Sequence, residues 1–312
     1  MRILIAGATG ALGMQLVPRL VAEGHEVVGI SRGRRRRDAL QALGATLVVA
    51  DALDLDAVTR AVQDARPEVI VHQPALSGGL EMRRFDRAFE QTNRLRTQGT
   101  DHLLAAGRRA GVRRFVAQSF AGWPFARTGG PVKSEDDPLD PAPLDAMRRT
   151  LEAIRHLEDA VTGADWTEGI VLRYGGFYGP GTTFTRGGEH LELIRRRRFP
   201  VLGDGGGVWS FVHVEDAADA TVAAVCRGRR GIYNVVDDDP TPVAAWLPAA
   251  AGALGAKPPR RLPRSLGRLL AGEVATVMMT EVRGASNAKA KRELEWTPGH
   301  PSWREGMREA AA

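Results

Sequence analysis

Cysteine and tyrosine are scarce in this chain, which has one cysteine and three tyrosines among 312 residues. The single cysteine, Cys226, excludes an internal disulfide framework and favours a reducing compartment, and its apolar surroundings predict that it only packs. No apolar run approaches the roughly 18 residues that a membrane-spanning helix needs. Because the sequence enters its first strand at once, we expect no signal peptide, no membrane contact and a cytoplasmic location.

A strong charge of one sign is also missing, since 43 Lys and Arg residues face 37 Asp and Glu residues for a net charge of +6. The arginines lie in short clusters separated by acids, without interleaved aromatic residues or a nucleic-acid-binding module. We therefore expect no nucleic-acid partner. Apolar residues make up 43% of the chain, which is enough for a large buried core.

Three glycines near the start of the sequence, in contrast, are informative because of their spacing. The apolar run from Met1 to Ala6 is followed by Gly7, Gly10 and Gly13, and then by a sequence with helical spacing of apolar residues. Such a turn lets backbone amides approach a pyrophosphate, which the N-terminus of the following helix stabilises. The residues expected to contact a dinucleotide here are Gly7, Thr9, Gly10, Ala11, Leu12 and Gly13.

The end of the second predicted strand, His25 to Ile30, bears on which dinucleotide binds. A NAD site usually has an acidic residue at this point, but the first carboxylate is that of Asp38. Ser31 and Arg32 are instead placed to bind a 2′-phosphate, because a guanidinium grips phosphate oxygens well. The sequence thus favours NADP(H) over NAD. Arg34 is a second candidate, and the later members of the arginine run 34–37 are expected to be solvated.

Strands and helices alternate along the chain, which predicts an α/β fold with a doubly wound parallel sheet. A long helix is predicted from about Arg83 to Ala110, and a second from about Leu144 to Val161. Proline and glycine predict a long irregular loop from Gly122 to Pro143. A further helix is predicted near Leu266 to Met279.

Ordered motifs over nearly the whole chain resemble those of the extended short-chain dehydrogenase/reductase family, also called the NAD-dependent epimerase/dehydratase family. Besides the glycine-rich turn, they are Asp51 after the third strand, Val71 to Ala75, Asn93 with Gly99 and Thr100, Arg114 to Ser119, Leu172 to Gly181, Phe211 to Ala220 and Asn287 to Pro298.

This resemblance implies a Rossmann domain over residues 1–175, with 208–235 returning to it. A smaller substrate-binding domain would comprise 176–207 and 236–312. It also implies a small-molecule substrate and a homodimer formed through the two long helices. The further cofactor contacts that it implies are Asp51, Ala52, Gln73, Pro74, Ala75, Asn93 and Tyr174.

The catalytic pair of the family is missing. Its Tyr-x-x-x-Lys motif works because residues i and i+4 share one helix face, where the ammonium stabilises the phenolate. This sequence has no tyrosine or lysine between Pro141 and Ala160, and Met147 and Leu151 occupy the corresponding positions. Neither side chain transfers a proton.

Three alternatives follow from this loss. In the first, NADPH still transfers hydride, as in divergent or atypical members of the superfamily, and another group handles the proton. In the second, the fold supports a non-redox lyase, isomerase or cyclase, with an acid and a base among Asp145, Glu152, His72 and His190. In the third, the chain is an NADP-sensing regulatory protein. The candidate catalytic residues of the first alternative are Ser119, Tyr178, Lys133 and Asp145, with Tyr174 as a further phenol.

The substrate is small and organic, but two substrate types stay open. Arg186 and the run 195–198 are suited to a substrate diphosphate. Aromatic residues in the second half of the Rossmann region and beyond it favour an apolar or aromatic, natural-product-like molecule, although packing is their commoner use. These residues are Trp123, Phe125, Phe184 and Trp209.

Overall fold

The computed structural model describes residues 1–33, 36–74 and 82–311. The strands are β1 (Arg2–Ala6), β2 (Glu26–Ser31), β3 (Thr46–Val49), β4 (Val69–His72), β5 (Arg114–Phe120), β6 (Val132–Lys133), β7 (Glu168–Tyr174), β8 (Gly176–Tyr178), β9 (Val201–Leu202), β10 (Val208–Trp209), β11 (Phe211–His213), β12 (Gly231–Val235), β13 (Thr241–Pro242), β14 (Arg261–Leu262) and β15 (Gly284–Ala285). The helices are α1 (Ala11–Ala22), α2 (Arg37–Ala42), α3 (Leu55–Ala65), α4 (Phe85–Ala88), α5 (Glu90–Arg94), α6 (Thr100–Ala110), α7 (Asp145–Gly163), α8 (Glu189–Arg195), α9 (Val214–Cys226), α10 (Val243–Ala253), α11 (Arg264–Ala271), α12 (Glu273–Thr280), α13 (Ala288–Glu293) and α14 (Trp303–Ala311).

A parallel sheet of seven strands, counted among the described residues, forms the centre of the molecule in the order β12-β7-β5-β4-β1-β2-β3. Its side chains alternate between two cores. Ile3 and Ile5 of β1 pack with α1 and α9 on one face, whereas Leu4 packs with α3, α6 and α7 on the other. Helices on both faces of a parallel sheet confirm the predicted doubly wound α/β fold.

The predicted helix from Arg83 to Ala110 is wrong as a single helix. A 3₁₀ turn (Met82–Arg84), α4, α5 and a π-helical turn (Leu95–Gly99) precede α6. The ring Nε2 of buried His72 lies 3.1 Å from the Leu95 carbonyl oxygen, and the Thr100 hydroxyl also donates to that oxygen. These contacts satisfy a carbonyl that a π-helical turn takes out of the regular α-helical bonding pattern.

Two other predicted segments also differ in the structure. The helix predicted from Leu266 to Met279 is divided into α11 and α12 at Gly272, whose φ of +94° does not fit a helix. The loop predicted over 122–143 contains β6, which pairs with β15. Within the described residues, no helix is both long and apolar enough to cross a membrane.

Residues beyond the sheet build a third core in which aromatic rings pack edge to face. Trp246 lies between Phe184 and Phe211, and Phe211 contacts Trp303 of α14. The loop after β8 brings this part of the chain to the glycine-rich turn, since a Cβ on Gly181 would lie 3.7 Å from that of Ala11. The predicted domain boundaries stay a prediction.

Candidate active site

The glycine-rich turn lies where β1 ends, between the carboxyl ends of β2 and β4. Gly7 has a φ of +99°, and a Cβ on it would stand 2.8 Å from the carbonyl oxygen of Gln73. A Cβ on Gly13 would stand 2.5 Å from the Ala8 carbonyl oxygen. Only glycine therefore allows the turn and the close packing of α1 against β1.

Helix α1 begins at Ala11 without a capping side chain on Gly10 and without an acidic residue in its first turn. Its first amides therefore face the turn with no side-chain acceptor, which is the arrangement that binds an anion. Arg36, whose φ is +68°, approaches from the opposite side, and its Nη1 donates to the Thr9 carbonyl oxygen at 2.8 Å. Arg36 is exposed, as the sequence predicted for this run, and it also contacts the turn.

The other residues predicted at the adenosine end lie at the carboxyl ends of β2 and β3. Ser31 is the last residue of β2, and Arg32 follows it with an exposed side chain. Asp51 accepts a hydrogen bond from the Leu53 amide at 3.0 Å, and the Ala52 carbonyl oxygen lies 3.1 Å from His102 Nδ1. Arg34 lies outside the described residues.

Buried polar groups mark the central part of the predicted cofactor cleft. Gln73 is 6% exposed, and neither polar atom of its side-chain amide makes a hydrogen bond of normal geometry among the described residues. Pro74 follows it and is buried, whereas Ala75 lies outside the described residues. The Tyr174 hydroxyl is 2.6 Å from the Thr221 hydroxyl, and burial raises the pKa of Tyr174 above its usual value.

Asn93 is tied to α7. Its amide donates to the Thr150 hydroxyl at 3.0 Å, and the Thr150 amide donates to a carboxylate oxygen of Asp86 at 3.0 Å. Thr150, which lies between Met147 and Leu151 in the sequence, is fully buried. This hydrogen-bonded chain fixes the rotation of α7 and thereby the direction of those two side chains.

Met147 and Leu151 form an apolar wall at the positions of the missing pair. They are 4% and 1% exposed, and they pack with Trp123 and Val277. A narrow cavity beside them is also lined by Arg127 and Asp140, which form an ion pair with an N–O distance of 3.0 Å. Neither Met147 nor Leu151 has a proton to transfer, so these two positions of α7 contribute only apolar surface.

Ser119 belongs to a buried charged cluster. Its hydroxyl donates to Glu158 Oε1 at 2.7 Å, and Arg173 donates to both oxygens of that carboxylate, at 2.8 and 2.6 Å. Arg96 is buried close enough to interact electrostatically with Glu158, and burial lowers the pKa of Arg96 to about 10. The sequence analysis missed Glu158, although a buried strand arginine such as Arg173 implies a carboxylate partner.

The other three predicted catalytic residues lie in different surroundings. Lys133 is 5% exposed on β6 and donates to Asp137 at 2.9 Å. Asp145 begins α7, forms an ion pair with Arg148 and has a side chain that is 92% exposed. Tyr178 is fully buried, its hydroxyl has no partner among the described residues, and its pKa is raised by burial and by the charge of Asp237. The structure thus does not bring these residues together with Ser119.

Of the two histidines of the non-redox alternative, His72 is buried and His190 is half-buried. Burial lowers the pKa of His72 to about 4, so its ring is neutral near pH 7. His190 stacks on Phe184 with ring centroids 4.6 Å apart, and burial lowers its pKa too. Glu152 is exposed on the outer side of α7.

Of the four aromatic residues that the sequence offered for an aromatic substrate, one lies in the apolar wall and three lie elsewhere. Trp123 packs edge to face on Phe85 beside Met147. Phe125 lies beneath the Arg173 guanidinium at 5.3 Å, and Phe184 and Trp209 belong to the aromatic core around Trp246.

The residues present fit a dinucleotide. Three features lie together at the carboxyl edge of the sheet: a turn in which a Cβ on Gly7 would collide, uncapped first amides of α1, and the buried amide of Gln73, which makes no hydrogen bond of normal geometry among the described residues. Parallel α/β sheets bind ligands at this edge, where the strand order reverses.

A fold and a cleft of this kind define a class of nucleotide-binding α/β enzymes, and the comparisons with known proteins specify the family. The model of the NAD dependent epimerase/dehydratase family matches residues 3–235. The chain therefore belongs to the NAD-dependent epimerase/dehydratase family, as the sequence motifs indicated.

Relatives and solved structures cover almost the whole chain. The chain is 48% identical over 310 residues to a 3-diazoavenalumate denitrifying reductase of a Streptomyces species, covering 98% of this chain and 99% of that protein. It is 30% identical to a UDP-glucose 4-epimerase of Mycolicibacterium smegmatis, covering 96% and 94%. The crystal structure of Thermus thermophilus UDP-glucose 4-epimerase in complex with NAD has a TM-score of 0.74 at 25% identity, covering 100% and 98%.

These findings make the chain an NAD(P)-dependent enzyme of the oxidoreductase type. They agree with the first of the three alternatives, and the structural neighbours bind NAD and small molecules such as UDP-sugars.

Proposed function

We propose that this protein is an NADPH-dependent reductase that replaces the diazo group of a small aromatic substrate by hydrogen and releases dinitrogen. Its 48% identical relative is named for such a denitrifying reduction. The observation that carries the proposal is the apolar wall of Met147 and Leu151, which stands where a carbonyl-reducing member of the family has its proton donor.

The chemistry accounts for the missing proton donor. Bound NADPH supplies a hydride. If a diazonium carbon accepted that hydride, a C–H bond would form as the C–N bond broke, and the C–N electron pair would leave with neutral N₂. No oxygen gains negative charge, so no acid is needed, whereas reduction of a carbonyl requires a proton for the alkoxide. Under this proposal Met147 and Leu151 exclude water from the reacting carbon and shape the pocket.

Two cationic side chains support NADP(H) over NAD. Arg32 follows the last residue of β2, and Arg36 binds the turn through Thr9. Asp38, the nearest acid in the sequence, is exposed in α2. A 2′-phosphate at the end of β2 would find the guanidinium groups of Arg32 and Arg36, and the first carboxylate after that strand along the chain is that of Asp38.

An aromatic substrate is supported by the ring lining of the wall. Trp123, Phe85 and Phe120 pack around Met147, and the ring centroids of Trp123 and Phe85 are 5.3 Å apart. Aromatic faces favour flat rings and also attract a positively charged diazonium group.

The test is an isotope experiment with NADPH that carries deuterium at C4 of the nicotinamide. We expect 3-diazoavenalumate to consume NADPH, release one N₂ per turnover and give a product with deuterium at the carbon that had held the diazo group. Mass spectrometry of the gas and of the product measures both. NADH supplied in place of NADPH is expected to react more slowly.

An aldehyde or ketone of similar size serves as the matched control substrate. We expect it to leave NADPH unconsumed, because no proton donor faces the reacting atom. The proposal fails if the carbonyl compound is reduced as fast as the diazo compound, or if N₂ is released without transfer of deuterium.

A further inference from the structure

A cluster of three potential metal ligands lies beyond the C-terminal end of α1, at the opposite end of that helix from its first turn. It comprises the carboxylate of Glu23, the ring of His25 and the thiol of Cys226, which is the only cysteine of the chain. None of these residues belongs to the cofactor cleft or to the apolar wall. The sequence analysis predicted Cys226 to be a packing residue.

The distances within this cluster match a tetrahedral metal site. Cys226 Sγ lies 3.4 Å from Glu23 Oε2 and 3.7 Å from His25 Nε2, and the nitrogen lies 3.7 Å from the same carboxylate oxygen. A tetrahedral zinc ion with its usual bond lengths to S, N and O separates such ligands by about 3.3 to 3.6 Å. The three atoms therefore need to move only by tenths of an ångström to share one ion.

Local backbone structure explains why the side chains of Glu23 and His25 lie on the same side of the chain. Helix α1 ends at Ala22, and Gly24 follows with a φ of +79°. The Gly24 amide donates to the Val21 carbonyl oxygen, and the His25 amide donates to that of Leu20. This glycine-based helix end reverses the chain, so that Glu23 and His25 flank one turn.

The third ligand comes from a distant part of the sequence. Cys226 is the last residue of α9, which packs against α1 over the sheet. His25 Nδ1 faces the nitrogen of Met1 at 3.3 Å, so Nε2 is the ring atom on the side of the thiol. The cluster thus joins the α1–β2 turn to the end of α9.

We propose that Glu23, His25 and Cys226 bind a divalent transition-metal ion of borderline softness, with zinc(II) as the best match. Thiolate, imidazole and carboxylate are the three ligand types that zinc takes in proteins, and a water molecule completes the tetrahedron on the exposed side. The ion connects α1 and α9, the two helices that cover one face of the sheet.

The surroundings of Cys226 act on its thiol in two directions. Burial and the neighbouring Glu23 raise the pKa of the Cys226 thiol, so that the metal-free thiol is protonated and weakly reactive. Arg227 and Arg114 act in the opposite direction on that pKa. Arg227 is also engaged with the Leu294 carbonyl oxygen and Glu295.

A second group of possible ligands, His213, Glu215 and His300, is less suited to an ion. His213 Nδ1 accepts a hydrogen bond from the Glu215 amide, and a Cβ on Gly179 would meet its Nε2 at 2.3 Å. The two histidine rings stack at 3.8 Å, and His300 Nδ1 faces Asp216 at 3.2 Å.

Cobalt(II) titration of the full-length protein tests the proposal, because cobalt replaces zinc and is visible. We expect one equivalent to give tetrahedral d–d absorption and a thiolate-to-cobalt charge-transfer band, both removed by zinc. Cys226→Ser should abolish the charge-transfer band, and His25→Asn should weaken binding at least tenfold. The matched control His156→Asn changes an exposed histidine elsewhere and should bind as wild type does.

Thermal unfolding provides a second measurement for variants of altered stability. Zinc should raise the Tm of the wild type and of His156→Asn, but not that of Cys226→Ser, because an ion bound only by the folded state stabilises it. Circular dichroism establishes that each variant is folded. Absence of the charge-transfer band in the wild type, or zinc stabilisation that survives in Cys226→Ser, would overturn the assignment.

Discussion

The carboxylate of Glu158 is surrounded by partners because a charge removed from water is tolerated only when it is paired. It is 3% exposed and accepts hydrogen bonds from Arg173 and from Ser119. Ser119→Ala should therefore lower the free energy of unfolding by about 1.5 to 3 kcal/mol, the usual range for a hydrogen bond to a charged group. Urea unfolding of the two proteins measures the difference.

Ser119→Thr is the control, since it keeps the hydroxyl that reaches Glu158. The catalytic role predicted for Ser119 from the sequence would lower kcat at a temperature where Ser119→Ala is folded, whereas the reaction proposed above needs no acid and predicts a kcat near that of the wild type. Unchanged stability in Ser119→Ala would contradict the structural role, and unchanged kcat would contradict the catalytic one.

Arg36 is the residue whose replacement tests cofactor choice. If Arg36 pairs with the 2′-phosphate, Arg36→Ala should weaken the binding free energy of NADPH by about 1.5 to 3 kcal/mol, which is measured as a higher Kd. The Kd for NADH should stay nearly unchanged. Arg32→Ala should act in the same direction. Fluorescence titration with both dinucleotides measures the four constants.

Arg37→Ala is the matched control, because Arg37 is the exposed neighbour that begins α2. It should bind both dinucleotides as the wild type does, apart from a small loss of net positive charge. Equal losses for NADPH and NADH in Arg36→Ala would mean that Arg36 stabilises the turn rather than the phosphate, and would remove it from the specificity site.

Some of these residue positions could be predicted from the sequence and others could not, for a physical reason. Ser31 and Arg32 were predictable because their position follows from the end of a strand. Arg36 was not, because its contact with Thr9 depends on a positive φ that is rare for arginine. Glu158 was not, because its partners are distant in the sequence, 39 residues away for Ser119 and 15 for Arg173.

At the scale of elements, the turn between β1 and α1 depends on Gly7. Gly7→Ala places a methyl group 2.8 Å from the Gln73 carbonyl oxygen in a backbone conformation that L residues avoid. We expect stability to fall by about 1 to 2 kcal/mol from the backbone strain alone, and dinucleotide affinity to fall at least tenfold because the amides no longer approach the pyrophosphate. Calorimetric unfolding and titration with NADPH measure the two effects.

Gly33→Ala is the control for that experiment. Gly33 lies just beyond β2, and a Cβ on it would meet nothing within 4 Å. Its replacement should leave both quantities close to those of the wild type. Normal NADPH affinity in Gly7→Ala would contradict the placement of the pyrophosphate at this turn.

Element boundaries were predictable where they depend on local signals. The strand β1, the glycine-rich turn and α1 follow from apolar spacing and glycine. The break in the predicted helix over 83–110 was not predictable, because the Leu95 carbonyl at the π-helical turn also contacts the ring of His72 on β4, which is distant in the sequence. The predicted homodimer through this region and α7 stays a prediction, and the outer side of α7 presents the charged residues Arg148, Glu152 and His156.

At the scale of the whole molecule, the fold followed from the order of motifs because the glycine-rich turn, Asp51, Val71 to Ala75, Arg114 to Ser119 and the first part of Leu172 to Gly181 mark strand ends of one parallel sheet. The proton-transfer chemistry did not follow, since the sequence gives only the loss of the pair at positions 147 and 151. The structure shows what takes the place of this pair: Met147 and Leu151 of α7 pack with Trp123 and Val277 in an apolar cluster.

The last prediction concerns how stability of the folded chain depends on pH. Asp237, which follows β12, holds α14 to the sheet: its carboxylate accepts from the Trp303 amide at 2.8 Å and from the Asp239 amide at 3.2 Å. It is 1% exposed, and burial raises its pKa to about 8 from the usual 3.8. The folded state therefore favours the protonated acid over the range in which the unfolded chain is ionised.

The sign of the effect follows from this raised pKa. The contribution of Asp237 is complete below the unfolded pKa near 3.8, falls as pH rises, and is lost above the folded pKa of about 8. Between pH 5 and 8 this group should reduce the free energy of unfolding by roughly 1.4 kcal/mol per pH unit at most. Asp237→Asn should flatten that slope, whereas Asp165→Asn, at an exposed position, should leave it unchanged. Urea unfolding at several pH values measures the slopes, and parallel curves for wild type and Asp237→Asn would show that Asp237 is ionised in the folded protein throughout this range.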